Sequence, residues 1–473
     1  MIVAVCSMLV SFPAMAQEGT KPTSDATATG TTPKAVEPAP AVAKTEPVAK
    51  PVAVAPAAPE KKPAATAPVK NSGEVAVKKA TPASGWKVII GGFVRGDISY
   101  NSGAVFGIES PLFALAEGAS ADAQDKGLDF SARLTRISLN ALAPKWNGWQ
   151  ARGYVETDFF GQFPNSGTNA RQSMLRMRLA YVELAKKYTT IRLGNDWMVA
   201  APQFSSCLEP FNMWGQGNIW MRVPQLSVRN RIPMGKMFRG ELDFAVGHNM
   251  GNDGKNDSNA DQLLMRGMGE NSGLPMVQAR IGAGFKIGDA AWSTIGFSYS
   301  WQQLKVSGTA DATTLFDGTD EEKVTSSFFA VDTQIHAKVG TSTVSLTGEF
   351  YQGQATAAYW GGILRPVTFD NNTLTVKVPE SRGFFADLKV KTALGLTIFA
   401  GYGNDKITND DEYSGAGSPI NNTFMYGGVT YALGCKKKPM AVLGLSYGNL
   451  KTEFKGGAEG SAHLVHAMMM IPF

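Results

Sequence analysis

Between residues 129 and 197 arginine recurs with the period of an extended chain. Arg136, Ser138 and Asn140 alternate with Ile137, Leu139 and Ala141. Arg152, Tyr154, Glu156 and Asp158 share a face opposite Ala151, Val155 and Phe159. Arg176 and Arg178 oppose Met177, Leu179 and Tyr181, and Arg192 opposes Ile191 and Leu193. A guanidinium is permanently charged and grips carboxylate or phosphate through two parallel hydrogen bonds. Several of them on adjacent strands lower the barrier to anions in a narrow aqueous pore. The same alternation adds Arg95, Arg229, Arg231 and Arg239, with Asp97, Glu241, Asp243, Asp332, Glu349 and Asp387 as carboxylates that would face them. Candidate pore residues are therefore Arg95, Arg136, Arg152, Arg176, Arg178, Arg192, Arg229, Arg231, Glu156 and Asp158. About half the arginines are expected to be struts paired to neighbours such as Glu156. The preferred pore set is Arg136, Arg176, Arg178 and Arg192, which sit beside residues 198–219. That stretch is rich in Pro, Phe and Trp, suits a segment packed inside a barrel, and contributes Glu209.

Alternation of this kind fits two architectures. A soluble sandwich buries its apolar face, whereas a membrane barrel turns that face to lipid and its charges to a water-filled lumen. The rest of the chain decides between them. Residues 1–16 are apolar and end in Ala14-Met15-Ala16, a signal-peptidase pattern that implies export, although no Lys or Arg precedes the apolar run. Residues 17–85 are rich in Pro, Ala and Lys and read as a disordered, polyproline-like periplasmic linker. At roughly 3.1 Å per residue it would reach about 200 Å. Its lysines, Lys61, Lys62, Lys78 and Lys79 among them, could touch peptidoglycan or anionic lipid, although a solvated spacer with no partner is the reading favoured.

Residues 86–473 carry the strand rhythm. Strands are expected near 86–100, 130–142, 149–160, 174–185, 190–197, 220–231, 238–247 and 276–286. Eight more follow near 292–302, 327–339, 343–353, 382–391, 394–403, 423–433, 440–448 and 462–473. Short connections alternate with long polar ones, and about sixteen strands is an even number, both as in outer-membrane barrels. The last strand closes on Phe473, a feature shared by many such proteins. Aromatics at expected strand ends, Trp86, Tyr100, Trp149, Trp292 and Tyr402 among them, suit interfacial girdles. The fold class expected is all-β, a transmembrane antiparallel up-and-down barrel.

Composition is consistent with this. Hydrophobic residues make up 44%, and among the 51 glycines several recur inside strand-like segments, Gly91, Gly92, Gly282, Gly284, Gly427 and Gly428 among them. A net charge of +5 implies no nucleic-acid partner. Of three cysteines, Cys6 lies in the leader, and Cys207 and Cys435 are expected on opposite sides of the membrane, unpaired.

The stretches GGFVRGDISY, LTRISLNA, YVETDFFG, LRMRLAYVEL, IRLGNDW and RVPQLSVR resemble the DcaP-like trimeric outer-membrane porins, and more loosely the wider sixteen-stranded porins. The likeness covers mainly residues 88–231. It implies a homotrimer, a loop folded into each lumen, and passive uptake of small anions such as dicarboxylates. Where that group carries a helical N-terminal extension, this chain has its Pro-rich linker.

The function expected is a Gram-negative outer-membrane porin for small anionic solutes, set in lipid and lipopolysaccharide. The rival is an envelope-tethering or adhesion barrel whose loops bind partners outside. An enzyme is not expected: Asp332 and His336 share a face, but no nucleophile–base pair is evident around the four histidines. His463 and His466 fall on opposite faces and make poor joint ligands. No cofactor or metal is expected.

Overall fold

The computed structural model describes residues 85–473 except 108, 119–124, 162–172, 252–267, 308–320, 371–374, 416 and 436–437. The leader and nearly all of the linker therefore lie outside the described residues. The strands are β1 (Lys87–Asn101), β2 (Val105–Phe106), β3 (Phe113–Ala114), β4 (Gly127–Ser131), β5 (Arg136–Leu142), β6 (Gln150–Gly161) and β7 (Met174–Lys186). Next come β8 (Thr189–Trp197), β9 (Arg222–Met234), β10 (Phe238–Gly247), β11 (Met276–Lys286), β12 (Trp292–Ser307), β13 (Glu321–Val339) and β14 (Ser342–Gln354). The last are β15 (Thr368–Asp370), β16 (Thr375–Lys377), β17 (Glu380–Lys391), β18 (Leu396–Ile407), β19 (Pro419–Cys435), β20 (Lys438–Phe454) and β21 (Glu459–Pro472).

All but the two small pairs, β2–β3 and β15–β16, form one antiparallel sheet. It closes because β1 pairs with β21, from Phe93 opposite Pro472 to Asn101 opposite Leu464. On its other edge β1 pairs with β5 at one end and β4 at the other. β4 and β5 are thus halves of one wall strand, broken at residues 132–135 where continuity was expected. The wall has sixteen strands, each matching one expected from the sequence. At the seam Gly92 has φ +150°, and a Cβ there would stand 2.2 Å from the Arg136 carbonyl oxygen. The chain must be glycine at that point.

Hairpin turns are short at one end of the barrel. In the first, Asn147 and Gly148 both take positive φ, 47° and 81°, the geometry that matches strand twist. The outer surface is apolar: Ile137, Leu139, Val155, Leu175, Met177, Leu193, Leu226, Phe244 and Ile281 are all exposed. Their inward neighbours are buried and polar, among them Asp158, Asp196, Gln225, Asp243, Gln278 and Asp332. In water that apolar skin would cost roughly 25 cal/mol per Å²; in lipid it costs nothing. The wall strands have the nine or more residues a tilted crossing needs. Together with its closed edges, this makes the chain an outer-membrane β-barrel.

Long connections leave the opposite end, and three of them pack against the inward face. Met198, Val199, Ala200, Met213, Trp214, Ile219 and Trp220 are buried, as are Leu112 and Phe113, and Tyr359, Ile363 and Leu364. The sequence singled out only residues 198–219 for this position. Asn422 of β19 ties two of the three together, donating to the carbonyls of Leu112 at 2.7 Å and Gly215 at 2.6 Å.

Candidate functional site

Strands β5–β11 carry ten arginines and six carboxylates. Their pairing sorts struts from open cations. Arg176 grips Asp158 with two bonds, 3.0 and 2.7 Å. Arg178 bridges Glu156 at 2.8 Å and Asp158 at 2.9 Å and is buried. Arg136 reaches Glu156 only at 3.5 Å, leaving about a quarter of its side chain exposed. Arg192 binds Glu183 at 2.7 Å and Asp196 at 2.9 Å, and Arg229 joins the same Asp196 at 3.0 Å. Arg231 binds Asp243 at 2.5 Å, and Arg239 binds Glu241 at 2.6 Å. Arg152 pairs with Glu183 at 3.6 Å and with Asn140 rather than with Glu156. Arg95 is held by Asp97 at 2.7 Å and donates to the Leu208 carbonyl at 2.9 Å.

Glu183 reaches this wall through a feature that alternation could not reveal. A bulge in the β6–β7 register, between Glu156 and Thr157, leaves Arg178 and Leu179 both buried. Past that point the parity is reversed. Tyr181 and Glu183 therefore face inward and Val182 outward, contrary to the expectation for Tyr181. Arg152 and Arg192 stack on the Tyr181 ring, at 5.7 and 4.6 Å.

Three further arginines were missed. Arg280 of β11 is a buried strut, bound to Asp332 at 2.7 Å and Glu241 at 2.9 Å. Arg133, in the break between β4 and β5, binds Glu109 at 2.9 Å. Arg222 opens β9 opposite Trp197. Its guanidinium lies over the rings of Trp197 and Trp220, at 5.4 and 5.9 Å. Its Nη1 is buried with no hydrogen-bond partner among the described residues. Alternation gave no signal for it: Arg222 shares the parity of the exposed Pro224 and Leu226, and Trp197 that of Ile191 and Leu193.

The opposite wall is covered. Residues 198–219 run along its carboxylates, and backbone N–H groups bind them. The Gln203 amide donates to Glu349 at 3.2 Å, and its side chain donates to Asp332 at 2.9 Å. Ser206 gives Asp387 both its N–H, at 3.1 Å, and its hydroxyl, at 2.7 Å. Asp405 accepts from Tyr351, whose hydroxyl in turn receives the Gly362 N–H at 2.9 Å. Glu209 has one carboxylate oxygen buried without a partner among the described residues. Cys207 is a buried free thiol, and burial pushes its pKa well up, which leaves it unreactive.

Aromatic rings gather where these segments meet. Trp214 stacks on Trp360 at 4.3 Å and lies 4.3 Å from Trp220, which in turn contacts Trp197 and Phe204. The sequence placed the Phe and Trp of residues 198–219 inside the barrel but did not single out Trp360, which comes from a second loop. Trp292, assigned to a girdle, is flanked by Arg239 at 4.6 Å and Lys286 at 5.1 Å.

Two hydroxyl–histidine pairs also form through strand register. His336 Nδ1 lies 2.8 Å from Ser345 Oγ. His466 lies 2.7 Å from Asp97 and 3.3 Å from Ser99. Asp332 does not serve His336, since its oxygens are taken by Arg280 and Gln203. His463 is exposed and bound to Tyr447, apart from His466.

Fold and lining together define a sixteen-stranded outer-membrane barrel with a charged inner face. No protein-family model matches the sequence, and no curated protein does. Solved structures do resemble it. The outer membrane channel DcaP of Acinetobacter baumannii matches with a TM-score of 0.58 at 18% identity, covering 82% of this chain and 98% of that one. An anion-selective porin from Comamonas acidovorans matches with a TM-score of 0.50 at 12% identity, covering 82% of this chain and all of that one.

Proposed function

We propose that this barrel is a porin through which small hydrophilic anions, dicarboxylates among them, diffuse passively. The observation that carries this is the unequal fate of the two walls. Asp332, Glu349, Asp387 and Asp405 are buried beneath residues 198–219 and 355–364 or consumed by Arg280. On the facing wall Arg136, Arg152, Arg176, Arg192, Arg229 and Arg231 keep roughly a fifth to a third of their side chains exposed. The potential along the remaining path is therefore positive. In this reading residues 198–219 form the eyelet segment, Arg222 is its unneutralised cation, and Arg178 and Arg280 hold the wall up. The turn end faces the periplasm, the chain is exported by its leader, and three copies assemble.

Residues of this wall do no covalent chemistry in the proposal. They replace the hydration of a passing carboxylate with forked donors, and the stacking rings fix the guanidinium planes. Reversal potential across a planar bilayer under a KCl gradient tests it: anion preference is expected, and cation preference would overturn the assignment. A second reading has its own support. Apolar packing of three loops around Trp214 favours a barrel closed by its loops and used as a tether or adhesin. Absence of conductance from a folded barrel would select that reading.

A further inference from the structure

Below the covered carboxylates, toward the turn end, the second-half wall changes sign. Strand register places His336 opposite Ser345, and Ser345 opposite Lys389. One row nearer the turns, Lys338 faces Thr343, and Thr343 faces Lys391. All six alternate with the lipid-facing residues Val331, Val339, Leu346 and Leu388, which are exposed, so the six lie on the lumen face. Among the described residues none of these lysines pairs with a carboxylate; the nearest acidic position on the same face, Asp387, is occupied by Ser206 and Tyr426. Lys338 and Lys391 are separated by two strand spacings, about 10 Å, and Lys389 and Lys391 by about 7 Å. Like charges at such spacing repel, and nothing in the wall offsets them.

We propose that this patch is a separate oxyanion site, suited to inorganic phosphate or a phosphomonoester. Strand register sets three lysines beside Ser345 and Thr343 on the lumen face, and His336 is held by Ser345 at 2.8 Å. Lysine is a point charge that selects by charge rather than by planarity. The patch therefore favours a compact dianion, where the arginine wall favours planar carboxylates. The ligand is a solute, because the lumen face is separated from lipid by the wall itself. The site rests on the reading of the interior as aqueous, but not on net transport.

The test uses the full-length refolded protein in a zwitterionic detergent and the phosphorus-31 linewidth of inorganic phosphate. Wild type is expected to broaden the line. A Lys338→Gln/Lys389→Gln/Lys391→Gln variant is expected to need roughly tenfold more protein for the same broadening at fixed phosphate, and the corresponding triple Lys→Arg variant is expected to restore it. Equal broadening in wild type and the Gln variant would overturn the site. Should the Gln variant misfold, the single Lys389→Gln variant gives the same reading with a smaller change. Conductance is recorded in parallel, so a non-conducting barrel that still broadens the line would strike the porin reading and leave the site standing.

Discussion

At the scale of single residues, the wall's arginines differ in what their loss would do. Arg178 is buried between Glu156 and Asp158. Arg178→Ala leaves two inward carboxylates short of their partner, an effect of about 3–5 kcal/mol. Its expected outcome is a lower urea midpoint of unfolding and poor refolding yield. Arg222 has no carboxylate partner among the described residues, so Arg222→Gln is expected to leave that midpoint within about 0.5–1 kcal/mol of wild type while reducing anion preference. A fall in stability as large as that of Arg178→Ala would show Arg222 to be a strut. Cys207 supplies an independent check on the loop. A maleimide is expected to leave it unlabelled in the folded barrel and to modify it after denaturation, read by mass spectrometry of its peptide. Rapid labelling in the folded state would mean residues 198–219 do not lie against the wall.

At the scale of elements, local periodicity carried most of the strand positions. Apolar residues that face lipid and polar ones that face the lumen alternate without needing a partner to be known. On that basis Arg136, Arg152, Arg176 and Arg192 were expected on the polar face, and there they pair with inward carboxylates. What failed depended on long-range register. The β6–β7 bulge reverses the faces of Tyr181 and Glu183, and no residue type there announces it. Pairings across β1–β21 and β13–β14 bring Ser99 to His466 and Ser345 to His336, distant in sequence or joined only by a turn. The inward packing of residues 355–364 was hidden because its cause, the Trp214–Trp360 stack, needs two loops at once. Backbone strain sits there too: Trp360, Ile363 and Leu364 take φ of 66°, 49° and 60°. Such residues cost of order 1–3 kcal/mol each and persist only where packing holds them. Trp360→Ala is therefore expected to free the two loops and raise single-channel conductance. Unchanged conductance would mean that this stack does not border the open path.

At the scale of the whole molecule, closure and sidedness govern function. A barrel has no free edge, so its interior is set by the two walls and what covers them. Here the covering is one-sided, and ten arginines in β5–β11 outnumber the six carboxylates of the same strands. The trimer expected from family resemblance is checked by native mass spectrometry of the detergent-solubilised protein, which should give three times 50.4 kDa less the leader; a monomer alone would contradict it. The central claim is that the open wall sets the sign of the pore. Reversal potential under a KCl gradient, wild type beside Arg222→Gln, tests it most directly. A potential of the sign given by chloride permeation is expected, moved toward zero in the variant. A potential of potassium sign, or one that Arg222→Gln leaves unchanged, would contradict it.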